Sequence, residues 1–241
     1  MARWKVGTLF DDDPKYTDRF GLLLMLIVVS VTVLSLVDVD SPVSDVSSEV
    51  GWLTTTVVVG ATLVVALRAS GVAVRLQRLA NVLVGGAVLL SVLGVLLSNF
   101  TSLHMGPVVS DRPGWLWVLL AAVTPVVIVR RLLKAEKVTY QALAAAISAF
   151  LLIALLANYA YLAVDSVSST PFFGTEESTT VFMYYSMVTI TTLGYGDFEA
   201  ATNFGRFLSV GEAAVGQIFL VTFVASLVSL GAARLGKPRR G

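Results

Sequence analysis

Long apolar runs broken by short polar ones dominate this chain. Six stand out, at residues 20–37, 52–67, 82–100, 115–129, 140–164 and 204–230. A helix that crosses a bilayer needs about 20 mostly apolar residues, within a range of about 17–25. The second and fourth runs are shorter, but basic residues at their ends can snorkel and extend them. Six transmembrane helices are therefore expected. A seventh run, Thr179–Ile190, is too short to span. It leads directly into Thr191-Thr192-Leu193-Gly194-Tyr195-Gly196-Asp197 and reads as a re-entrant helix followed by a loop. Non-helical backbone is tolerated at membrane depth only where protein buries it or a water-filled cavity borders it.

The charges orient these runs. Asp38, Asp40, Asp45 and Glu49 follow the first run with no basic residue among them. Arg68, Arg75 and Arg78 follow the second with no acid. Only His104, Asp111 and Arg112 separate the third and fourth. Arg130, Arg131, Lys134 and Lys137 then stand against Glu136 alone. Residues 165–199 hold five acids and no Lys or Arg, and the last segment carries Arg234, Lys237, Arg239 and Arg240. Basic segments alternate sides with an even number of helices. The positive-inside rule then places both the N- and C-termini in the cytoplasm and turns the glycine-bearing loop outward.

Composition narrows the class further. Of 241 residues, 56% are hydrophobic, above the usual soluble range. The chain has no cysteine, which excludes disulfides and thiol chemistry, and one histidine, His104, which argues against a histidine metal cluster. Asp11, Asp12, Asp13 and Asp18 precede the first run and no small-residue cleavage site follows it, unlike a secretory signal. Nothing resembles a nucleotide or phosphate loop. No enzyme activity, organic cofactor or nucleic-acid partner is expected.

The chemistry lies in the loop. Gly194 and Gly196 lack a Cβ and can adopt backbone angles that other residues resist. Alternated with Leu193 and Tyr195, they let successive carbonyls point the same way. A ring of such strands can line a narrow pore with oxygens that replace the water around a cation. A bare Gly-Tyr-Gly would equally be a tight turn. Its position after a short helix and between two spanning runs favours the pore.

With these residues in place, the chain resembles the tetrameric potassium channels over about 140–231. The resemblance rests on the filter run Thr-Leu-Gly-Tyr-Gly-Asp, an acidic turret around Pro171 to Glu177, Gly205-Arg206 at the head of the last helix and Gly216 near its middle. It implies an all-α membrane fold, with six transmembrane helices, a re-entrant pore helix and a selectivity-filter loop. By the same resemblance, K⁺ sites are built from the Thr192 hydroxyl and the carbonyls of Thr192, Leu193, Gly194 and Tyr195, closed by Gly196. One chain supplies one filter strand, so a homotetramer is implied, with membrane lipids and K⁺ as its other partners. Thr191, Asp197, Tyr184, Tyr185 and Val188 fall where the family supports its filter. The tyrosines are placed to bond Tyr195 or Asp197 through their polar tips. Some members carry a glutamate behind the filter, and this chain has Val188 there. The resemblance divides the chain into a cytoplasmic segment 1–19, a four-helix membrane domain 20–134, a pore domain 135–231 and a short basic tail 232–241.

Other residues carry two readings each. Glu212 lies inside the last spanning run, where an ionisable side chain is a functional hypothesis by default. Either it sits behind the filter, bonding pore-helix backbone or hydroxyls such as Thr189 or Thr191, or it is structural. The structural version is bonded to Asn158 or Tyr159, or is protonated. Gly216 is either a bending point or a site of close helix packing. Helical spacing from it suggests that Gln217, Leu220, Val224, Ala225 and Val228 face a central cavity. Gly85, Gly86, Gly94, Ala142, Ala145, Ala146 and Ala149 read as packing surfaces. The outer acids other than Asp197 read as a solvated loop set. The fourth run carries only the adjacent Arg130 and Arg131 at its end, not an arginine ladder, so little or no intrinsic voltage gating is expected.

The function expected is passive, selective K⁺ conduction across the cell membrane. A less selective cation channel of the same architecture is the second reading. A transport or sensory membrane subunit that does not conduct is the third.

Overall fold

The computed structural model describes residues 20–36, 57–68, parts of 77–89, 115–133 and 140–235, and side chains of the last helix only as far as 223. The helices are α1 (Phe20–Leu36), α2 (Val57–Arg68), α3 (Trp115–Leu133), α4 (Tyr140–Val167), α5 (Thr179–Ile190) and α6 (Asn203–Leu235). At 1.5 Å per residue, α4 and α6 are about 42 and 50 Å long and α5 only about 18 Å. The first two exceed a hydrocarbon core of about 30 Å, and α5 falls well short of it. The short helix has the bounds that the apolar pattern predicts. The helix α3 runs one turn beyond the expected end at Val129 and takes Arg130 with it, because nothing after Pro125 breaks the helix before Leu133. Most of the expected run 82–100, with Gly94, lies outside the described residues, as do the acidic loop 38–50, His104 and residues 236–241, while 232–235 of the expected basic tail continue α6 and put Arg234 in its last turn.

The helices α1 and α3 pack on α4, and α2 meets α1. Phe20, Leu23, Ile27, Ser30 and Leu34 are the buried face of α1. This face packs on α4 and reaches α5. Ser30 and Thr62 meet across α1 and α2 at 2.6 Å, so one hydroxyl donates to the other, which in turn donates to the carbonyl four residues back on its own helix, Leu26 or Val58. The pair thereby satisfies two hydroxyls where neither has water to turn to. Of the expected small-residue surface of α4, Ala145, Ala146 and Ala149 are buried and Ala142 is half-buried, and α4 packs closely on α3.

The last three helices form a second layer. The helix α4 also packs against both α5 and α6. The apolar stretch of α4 is 61% buried, that of α6 only 17%. Phe204, Phe207, Val210, Val215, Ile218 and Val221 stand exposed along α6. Among the described residues, this asymmetry separates a largely enclosed helix from an open one.

Candidate functional site

The segment after α5 is built by the helix it follows. The last turn of a helix leaves carbonyls without helical partners. Here the loop itself satisfies them. The Thr191 N–H donates to the Met187 carbonyl at 3.2 Å and the Thr192 N–H to Thr189 at 3.0 Å. The N–H groups of Leu193 and Gly194 both converge on the Val188 carbonyl, at 3.0 and 3.3 Å. Val188 thus supports the loop through its main chain, while its side chain is buried.

Backbone handedness alternates along the loop. Thr192, Gly194 and Gly196 have φ of 58°, 56° and 76°, whereas Leu193 and Tyr195 are not in the positive-φ region. Alternating right- and left-handed residues turn successive N–H groups to one side, a nest, and send the carbonyls to the other. Glycine adopts this conformation at no steric cost, but Thr192 does not. Positive φ at a threonine is backbone strain held by the surrounding bonds. Among the described residues, no hydrogen bond ends on the carbonyls of residues 192–196. These carbonyls are acceptors without a partner among the described residues. Leu193 and Tyr195 are 55% and 67% exposed.

An aromatic cuff stands behind the loop. Tyr184 donates from its hydroxyl to the Asp197 carboxylate at 2.6 Å, and the Phe198 N–H adds a second bond to that carboxylate at 3.2 Å. The bond to Asp197 pushes the Tyr184 phenol up to about 12, so it remains a proton donor at neutral pH. Tyr185 turns the other way. It donates to Ser209 at 2.8 Å, and Ser209 donates to the Gly205 carbonyl at 2.9 Å. The tyrosine pair was expected to reach Tyr195 or Asp197, and only Tyr184 does so. Adjacent residues on a helix point about 100° apart, so both could not meet one target.

Three residues in this cuff carry no signal in the motif. Phe172, Phe173 and Phe182 pack with Tyr161, Tyr185 and Phe198 at ring-centroid distances of 4.8 to 6.0 Å. Phe172 is pinned at both main-chain ends. Its N–H donates to the Asp165 carboxylate at 2.6 Å, and its carbonyl accepts from Ala201 at 2.9 Å. Asp165 is therefore not one of a solvated loop set: it is buried and holds the turret to α4. The Phe-Phe pair at 172–173 within an otherwise polar loop is the cue that could have found this cluster.

The start of α6 closes the cuff from the far side. Thr202 caps it, accepting the Gly205 N–H at 3.0 Å. Arg206 donates to the Ala200 carbonyl at 3.0 Å. Gly205 is tightly enclosed: a Cβ there would meet Phe172 Cε2 at 3.0 Å and the Ala200 Cβ at 3.1 Å, so these neighbours would have to give by a few tenths of an ångström.

Deeper in α6, Glu212 is 6% exposed and has found partners. Tyr161 of α4 donates to its Oε2 at 2.5 Å, and Ser186 of α5 lies 2.5 Å from its Oε1. Both expected helices supply a partner, but not at the expected residues. Thr191 bonds Met187 instead, at 2.6 Å, and the amide atoms of Asn158 find no hydrogen bond. Helical spacing identifies which face of α6 Glu212 occupies; the axial offset between two helices, which decides its partner, is a packing result. Gly216, one turn on, is buried against Ile190. A Cβ there would fall 2.6 Å from Ile190 Cγ1 and 2.8 Å from the Ile190 carbonyl oxygen. Gln217 and Leu220 are exposed in the single chain. The side chains of Val224, Ala225 and Val228 lie outside the described residues.

Comparison with known proteins bears on this part of the chain. Residues 146–232 match the ion channel family model. A probable potassium channel protein of Methanocaldococcus jannaschii is 37% identical over 83 residues, which are 34% of this chain and 22% of that protein. The match thus spans less than a quarter of the relative's length. What is matched is the layer of α4, α5 and α6 with its loop, and these similarities point to a non-enzymatic, all-helical membrane protein with an ion channel domain at residues 146–232.

Proposed function

We propose that the chain conducts K⁺ selectively and passively through a homotetrameric pore in the cell membrane, with Thr192 to Gly196 as the filter. The observation that carries this reading is the alternating backbone handedness at 192, 194 and 196, which leaves a row of carbonyls with no internal partner. Dehydrated cations are the natural partners of such a row. The potassium channel named among the relatives supports K⁺ as the ion. Four chains supply four rows. The exposed apolar face of α6 supports assembly, because nothing among the described residues covers it. In that arrangement Gln217, Leu220, Val224, Ala225 and Val228 line the cavity below the filter, and Gly216 marks where the inner helix meets the pore helix. Asp197 stands at the outer mouth, held by Tyr184, and both termini are cytoplasmic.

The helices α1 to α3 brace this pore and contact lipid. Their described residues include Arg68, Arg130 and Arg131, each at a helix end, with no arginine series through the membrane. Voltage dependence is therefore weak or absent, and a steep conductance–voltage curve in symmetric K⁺ without blockers would refute this. The central test is flux from purified protein in liposomes, with K⁺ against Na⁺. We expect K⁺ to pass and Na⁺ to be largely excluded, and a Gly194→Ala control, which forces a Cβ into a φ of 56°, to lose flux. Equal permeability for the two ions would leave a non-selective cation channel, and no flux at all would leave a non-conducting subunit.

A further inference from the structure

The helices α5 and α6 meet at three rungs in register. Tyr185 bonds Ser209, Ser186 meets Glu212, and Ile190 seats on Gly216. Ser186 and Ile190 are one helical turn apart, and so are Glu212 and Gly216. The middle rung also reaches the third helix. Glu212 Oε2 takes the Tyr161 hydroxyl of α4, and Ser186 Oγ lies 2.8 Å from the Ala154 carbonyl of α4. One carboxyl and one hydroxyl thus join all three helices of the channel domain.

A proton count on this cluster constrains its state. Ser186 has one hydroxyl proton and faces two acceptors, the Ala154 carbonyl and Glu212 Oε1. Tyr161 has one proton, directed to Glu212 Oε2. If Glu212 were ionised, Ser186 would satisfy only one of its two neighbours. If Glu212 carries a proton on Oε1, it donates to Ser186, Ser186 donates to Ala154, and every contact is used. The charges around it agree. Its bonded neighbours are neutral, Tyr185 on α5 is engaged with Ser209, and the Arg206 head on α6 is engaged with Ala200. A buried carboxylate without a cation costs several kcal/mol, whereas a neutral acid in a complete hydrogen-bond set avoids that.

We propose that Glu212 is a neutral, proton-donating strut that positions the filter, pinning Ser186 of the pore helix to the outer helix and so setting the depth of the segment 191–196. The link to the filter is short. Ile190 is one turn below Ser186, and the carbonyls of Met187, Val188 and Thr189 hold the N–H groups of residues 191–194. A shift of the α5 end is therefore transmitted directly to the filter backbone. The inference rests on the channel reading above and goes beyond it by assigning a role outside the filter motif.

The test compares Glu212→Gln, Glu212→Leu and Ser186→Ala in the reconstituted full chain. Glutamine can donate to Ser186 and accept from Tyr161, so Glu212→Gln should keep the K⁺ over Na⁺ permeability ratio within about twofold of the parent chain. Glu212→Leu keeps similar bulk but neither bond, and should lower that ratio by about tenfold in channels that still assemble. Ser186→Ala, a much smaller change, should fall between them and covers the case in which the leucine variant does not fold. Infrared spectra should show a protonated-carboxyl band that Glu212→Gln removes. The proposal is overturned if assembled Glu212→Leu and Ser186→Ala channels keep full selectivity, if Glu212→Gln loses it as the leucine variant does, or if the carboxyl band is absent. If the parent chain itself fails to select K⁺, the channel reading falls, and the infrared arm still decides the protonation of Glu212.

Discussion

Replacing Gly216 by alanine tests how the inner helix seats the pore helix. The added Cβ would lie 2.8 Å from the Ile190 carbonyl oxygen, where ordinary contact begins near 3.4 Å, a shortfall of about 0.6 Å by difference. It would lie still closer, at 2.6 Å, to Ile190 Cγ1. The side chain of Ile190 is fully buried. The carbonyl is main chain, so relief requires the two helices to separate. Overpacking of this kind costs about 1–3 kcal/mol. The better helix propensity of alanine returns about 1 kcal/mol. The net loss is about 0–2 kcal/mol for each protomer, and in a proposed tetramer it is repeated four times. Because Ile190 ends the helix that leads into the proposed filter, the separation should also disturb ion selection if the channel reading holds. Thermal dissociation of the detergent-solubilised oligomer and bi-ionic reversal potentials measure the two effects. Gly21→Ala is the control, since nothing lies within 4 Å of a Cβ there. The expected result is a lower dissociation temperature and a smaller K⁺ over Na⁺ ratio for Gly216→Ala than for the control. A variant as stable and as selective as Gly21→Ala would refute the packing argument. A changed open probability with unchanged assembly would assign Gly216 to bending instead.

Two further substitutions probe the cuff. Tyr184→Phe removes the hydroxyl that reaches Asp197 at 2.6 Å, and should shorten open dwell times severalfold while leaving assembly intact; unaltered single-channel dwell times would show that this exposed bond does not hold the filter mouth. Asp165→Ala leaves the buried Phe172 N–H without its acceptor and should cost about 1–3 kcal/mol of stability, with Asp165→Asn losing less, as read from thermal melts; equal melting temperatures for the parent chain and the alanine variant would place the turret outside the stable core.

Much of this molecule is legible in one dimension, because a membrane imposes one-dimensional rules. The length of an apolar run decides whether it spans, and the bounds Thr179–Ile190 follow from that alone. The glycines of the loop after α5 announce a backbone conformation through their lack of a Cβ, and the φ values at 194 and 196 agree. Tyr184 and Asp197 were also within reach, since a short helix and the loop that caps it keep them close along the chain. Asp165 and Phe172 were not, because a carboxylate near the end of α4 looks solvated until the turret folds back over it.

The sequence by itself determined the class of the protein: apolar helices, a short non-spanning helix, and a filter-like loop of alternating glycines. Only the tertiary structure decided how those parts bear on one another. It paired Glu212 with Ser186 and Tyr161 rather than with Thr189, Thr191, Asn158 or Tyr159, and it set Gly216 on Ile190. Helical periodicity specifies the direction in which a side chain leaves its helix. The partner it meets depends on the crossing and axial offset of two helices, which the packing of all three elements sets together.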